Sequence, residues 1–86
     1  MLSAQRRDAA VPELQSWATR IAEQIDPAVA VTVEFDADSN TFLLRLPKGA
    51  RVLIFRLSQT QVHTDGREAE CERTLNRKIK DLWNLI

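Results

Sequence analysis

Between Val29 and Leu57 apolar and polar residues alternate in two linked runs, the period-two signature of strands with one buried face. In the first run Val31, Val33 and Phe35 share one face, while Thr32, Glu34 and Asp36 share the other. The polar stretch Ala37-Asp38-Ser39-Asn40 predicts a hairpin loop that sets Phe35 opposite Phe42, Val33 opposite Leu44 and Val31 opposite Leu46. A second turn is expected at Lys48-Gly49, where glycine supplies a positive φ. That turn sets Leu44 opposite Leu53 and Phe42 opposite Phe55, with Leu57 continuing the same face. One side of this three-strand antiparallel meander then carries every one of these apolar residues, and a one-residue slip would expose them all.

Helical periodicity flanks the meander. Val11, Leu14, Ala18, Ile21 and Ile25 recur at three- and four-residue spacing, with Pro12 at the first helical position and Glu13 beside the positive helix end. Asp26-Pro27 ends this helix, because the residue before proline avoids the helical region. After Leu57 the stretch from Ser58 to Thr64 suits either a longer third strand or a crossover at the sheet end. Asp65 is expected to head the second helix, with Glu68 completing a capping box and Cys71, Leu75, Ile79, Leu82 and Ile86 forming its buried stripe. Its acidic start and basic end suit the helix dipole and read as a solvated face. A helix over 65–86 spans roughly 30 Å against roughly 23 Å for a seven-residue strand, so its Trp83-Leu85-Ile86 turn needs a cover, either the first helix or another protein. The fold expected is a two-layer α+β sandwich in the order α-β-β-β-α, with both helices on the phenylalanine face. Residues 1–10, with their Arg6-Arg7-Asp8 cluster, form a flexible N-terminal segment, and 11–86 a single domain.

Composition narrows the chemistry. The chain has 86 residues, 44% of them hydrophobic and 28% charged, which are globular values for one small domain. Twelve basic residues balance twelve acidic ones, so no overall field draws the chain to nucleic acid or to an anionic membrane. No run is long and apolar enough for a membrane span and no leader-type start is present, so a soluble, cytoplasmic protein is expected. The single Cys71 leaves no intramolecular disulfide and falls on an apolar stripe, as a buried thiol does. The single His63 has no second histidine nearby in sequence, and the two glycines form no phosphate loop. Asp36 and Asp38 beside Ser39 and Asn40 form a run too short for a calcium loop. These counts point away from an enzyme and imply no metal or cofactor.

The open face of the meander holds the remaining signals. Thr32, Glu34, Thr41, Arg45 and Arg56 share it with Leu43, Val52 and Ile54, and the expected register places Leu43 opposite Ile54 and Val52 opposite Arg45. A few aliphatics on a wet sheet face are ordinary. Gathered at the centre of a polar rim formed by Glu34, Arg45 and Arg56, they read as a patch for a protein partner or for a second copy in a homodimer. In such a two-fold pair Glu34 of one chain would approach Arg45 or Arg56 of the other. From Ser39 to Thr64 there is no acidic residue, while Arg45, Lys48, Arg51 and Arg56 all fall inside it, which makes those four cations candidate phosphate contacts. The face has no aromatic residue on which a base would stack.

The order of a helix, the Asp26-Pro27 break, an extended meander and a final helix resembles the double-stranded-RNA-binding domain and the small Alu-RNA-binding subunits of the signal recognition particle. The resemblance covers nearly the whole chain as topology and implies RNA contact through the sheet or its basic residues. Double-stranded-RNA-binding domains open the last helix with a lysine cluster; this chain has Asp65-Gly66-Arg67-Glu68-Ala69-Glu70 there, which repels phosphate. The expectation is therefore a small non-enzymatic interaction or structural module using its open sheet face, with RNA binding through the basic hairpin as the alternative.

Overall fold

A computed structural model describes residues 2–84, with side chains as far as residue 81. Helix α1 (Val11–Glu23) leads into strands β1 (Thr32–Asp36), β2 (Thr41–Lys48) and β3 (Arg51–Ser58), then the short helix α2 (Gln59–His63) and the long helix α3 (Glu68–Asn84). The strands form an antiparallel sheet in the order β1-β2-β3, so this is the expected α+β meander between helices. Leu14, Trp17, Ala18, Ile21 and Ala22 of α1 join Cys71, Leu75 and Ile79 of α3 in one core with Val33, Phe42, Leu44, Leu46, Phe55 and Leu57 of the sheet. Phe35 and Phe42 are tilted at 56° with centroids 5.2 Å apart, a favourable aromatic geometry at the first hairpin.

The first hairpin has the expected register, with Phe35 opposite Phe42 and Val33 opposite Leu44. Asp36 holds its loop: its carboxylate accepts from the Asp38 N–H at 3.1 Å and the Ser39 hydroxyl at 3.0 Å, and Asn40 takes a φ of 56°, which asparagine tolerates. The second hairpin differs from expectation. Phe42 pairs with Leu57, Leu44 with Phe55 and Leu46 with Leu53, so the turn is Gly49-Ala50 rather than Lys48-Gly49. Gly49 has a φ of 59° and Ala50 a negative one, the pattern of a type II′ turn, which requires glycine at its first central position. Lys48 is thereby drawn into the strand. The shift is two residues, so every side chain keeps its face.

The stretch after β3 is neither a longer strand nor a bare crossover. Ser58 ends the strand and caps α2 in a reciprocal box, its hydroxyl accepting from the Gln61 N–H while Gln61 Oε1 accepts from the Ser58 N–H at 2.9 Å. His63 closes α2, with Nδ1 3.0 Å from the Ser3 carbonyl oxygen and Nε2 2.6 Å from Gln59 Oε1. Gly66, at a φ of 86°, reverses the chain, and α3 begins at Glu68 instead of Asp65. The N-terminal residues lie against the domain: the Leu2 N–H donates to the Val62 carbonyl at 2.8 Å, Ser3 and Ala10 are buried, and Arg7–Ala10 form a 3-10 turn. Arg7 sits 5.1 Å over the Phe35 ring, a cation–π contact between the N-terminal segment and the sheet. The Leu82 and Ile86 side chains of the expected stripe, and the cover of the Trp83-Leu85-Ile86 turn, lie outside the described residues.

Candidate open-face interaction surface

Alternation places Thr32, Glu34 and Asp36 of β1, Thr41, Leu43, Arg45 and Pro47 of β2, and Val52, Ile54 and Arg56 of β3 on the face away from the core. The corrected register separates residues expected to be partners. Leu43 lies between Glu34 and Arg56, Ile54 beside Arg45, and Val52 beside Pro47. Leu43 is only 7% exposed even though it belongs to no helix-covered core, because the stems of its long charged neighbours close over it. Among the described residues, Val52 and Ile54 are the large hydrophobics left in water, at 53% and 46% exposure. The apolar patch therefore sits along β3, at the side of the sheet rather than its centre.

Ion pairs explain that placement. Arg45 Nη1 bonds Glu34 Oε1 on β1. Arg56 reaches across β2 to place Nη1 3.4 Å from Thr41 Oγ1 and 3.7 Å from Asp36 Oδ2. Both guanidinium groups thus lean toward the acidic strand β1 and away from β3. Glu34 and Arg45, expected to meet across a dimer, already meet within one chain. The Ser39 hydroxyl holds the Asp36 carboxyl below the ordinary carboxylate range; partial desolvation opposes this, while the Asp38 and Ser39 N–H groups and Arg56 add to it.

The four candidate phosphate contacts do not converge. Arg45 and Arg56 hold β1 carboxylates, Lys48 lies 3.5 Å from Asp26 Oδ2 before the sheet, and Arg51 stands exposed at the hairpin tip. A groove of about 910 Å³ lies elsewhere, between α1 and the start of α3, with Glu13, Glu23, Glu68 and Glu72 around Arg20 and Trp17, and it includes none of the open-face residues. Among the described residues no group of three histidine, cysteine or acidic side chains could hold a metal ion, and no helix is long and apolar enough to cross a membrane. Burial pushes the Cys71 thiol up, with Glu70 adding to the shift and Arg67 opposing it, so it stays protonated and packed.

The two edges of the sheet differ, and the hydrophobic pattern carried no sign of it. On β1 the Gln15 side chain of α1 fills the outer edge: its Oε1 accepts from the Val33 N–H at 2.9 Å and its Nε2 donates to the Val31 carbonyl. On β3, among the described residues, the hydrogen bond from the Ser58 N–H to Gln61 is the only side-chain or loop contact to the strand backbone. The one signal available in sequence was a glutamine flanked by core positions on α1. Comparison with known proteins adds no relationship: no family model matches the chain, and neither a curated protein nor a solved structure does.

Proposed function

We propose that the protein is a small non-enzymatic interaction module that self-associates through the β3 side of its open sheet face. The observation that carries this reading is the exposure of Val52 and Ile54, adjacent on β3, where Arg45 and Arg56 have been drawn away by Glu34 and Asp36. Polar rim residues around an exposed apolar strip are the anatomy of a contact surface. Leu43, buried on β2 opposite Arg56, is no longer the centre of the strip. A cytoplasmic setting belongs to the same proposal and suits a chain whose single cysteine is a buried thiol. RNA binding through Arg45, Lys48, Arg51 and Arg56 ranks second, since phosphate would have to displace Glu34, Asp26 and Asp36 from Arg45, Lys48 and Arg56.

Sedimentation equilibrium tests the reading. The wild type is expected to be heavier than a monomer, and Ile54→Asp, which places a charge in the strip without touching the core, is expected to be monomeric with unchanged circular dichroism. A wild type that is monomeric at every concentration, or an Ile54→Asp protein that associates as strongly as the wild type, overturns it.

A further inference from the structure

An eight-residue strand at the end of a sheet is a template for another strand unless something blunts it. Among the described residues the usual devices are absent from β3. It contains no proline, its pairing with β2 runs unbroken from Thr41–Ser58 to Lys48–Arg51, and its open-face cation Arg56 lies back across the sheet toward Asp36. Arg51, at the strand end, is the remaining charge.

The phase of the ladder determines which backbone groups face outward. A two-residue hairpin loop makes Lys48 and Arg51 a hydrogen-bonded pair, so Leu53, Phe55 and Leu57 also bond to β2 while Val52, Ile54 and Arg56 point their N–H and C=O groups to the free edge. Two independent contacts agree with this phase: the Ser58 N–H leaves the sheet to reach Gln61, and the Val33 N–H leaves the opposite edge to reach Gln15. Pro47 fits as well, since its missing N–H would face β1 beyond the end of that strand's pairing.

We propose that two copies of the chain join β3 to β3 in antiparallel register about a two-fold axis at Ile54, making one continuous sheet. This rests on the reading of the β3 side as a self-association surface and specifies how the copies meet. The strand is self-complementary about that residue. Ile54 covers Ile54 of the second copy, Val52 meets the aliphatic stem of the other Arg56, and Arg51 lies opposite the other Leu57, so no cation stands opposite a cation over 51–57. An axis at Arg56 would instead oppose two guanidinium groups, and one at Val52 would pair little beyond 51–53. The residues whose backbone faces outward are also those whose side chains are exposed, so one contact satisfies both. Because Gln15 closes the β1 edge, the joined sheet has no second open edge of this kind, and assembly stops at two.

Amide hydrogen exchange on the wild-type chain across a dilution series tests the geometry. The Val52, Ile54 and Arg56 amides are expected to exchange at least about tenfold more slowly in the dimer than in the diluted monomer. Ile54→Cys is expected to give a disulfide-linked dimer under mild oxidation, because hydrogen-bonded antiparallel neighbours lie about 5.5 Å apart at Cα, within disulfide reach. Leu43→Cys, on the same face but one strand inward, is expected to stay unlinked. A dimer in which those three amides are not slowed and Ile54→Cys does not link overturns edge pairing while leaving self-association through the face intact. A chain that is monomeric throughout overturns both.

Discussion

Gln15 shows how one polar side chain completes a fold that its apolar neighbours only outline. It sits among Leu14, Trp17 and Ala18, which are buried, yet its amide acts as a substitute strand, accepting from the Val33 N–H and donating to the Val31 carbonyl. Gln15→Leu keeps the volume and removes both bonds, leaving two edge groups partly desolvated. Such groups cost about 1–3 kcal/mol when unpaired, and urea denaturation is expected to show a loss of that size. A loss under about 0.5 kcal/mol, within the range of ordinary surface substitutions, would mean that water replaces the amide at no cost. His63 has a comparable role, tying the Ser3 carbonyl to α2.

Among the elements, the β2–β3 hairpin is the most informative, because its register departed from expectation by two residues without exchanging the faces. Side-chain alternation has a period of two, so the core set survived the shift while the cross-strand neighbours of Leu43, Val52 and Ile54 all changed. Glycine decided the turn: Gly49 holds a left-handed φ of 59° that an L-residue rarely adopts. A Cβ built there meets nothing within 4 Å, so Gly49→Ala tests conformation alone. The expected cost is about 1–2 kcal/mol, read from the shift in denaturation midpoint at unchanged m-value. A neutral substitution would show that the turn relaxes to another type.

The whole molecule divides its open face by charge, with acids on β1 and cations bent toward them, and Asp36 anchors that arrangement at the Ser39 loop and Arg56. Its folded carboxyl titrates below the ordinary aspartate value, so the unfolded chain takes up that proton first as the solution is acidified. The contribution to stability is full above about pH 4, the ordinary aspartate value, and disappears as pH falls through the depressed folded value. Asp36→Asn removes this dependence. Thermal melts of wild type and variant are expected to differ at neutral pH and to converge as pH falls below about 4. A difference that stays constant across that range would show that Asp36 makes no proton-linked contribution.

The sequence by itself determined the order of the three strands and the two long helices, the first hairpin, the two faces of the sheet and the burial of Cys71, because each follows from periodicity or from a turn local in the chain, while the short helix α2 did not show in it. It also marked Val52 and Ile54 as apolar residues on the open face. Tertiary structure alone decided which of the open-face residues water reaches. Leu43 disappears under Glu34, Arg45 and Arg56 because long side chains fold along the sheet toward charges on another strand, which no single-strand pattern encodes. The sealing of one sheet edge and the opening of the other were decided in the same way. They depend on where α1 lies against β1, and a glutamine's reach to backbone groups 16 and 18 residues away exists only once the layers have packed.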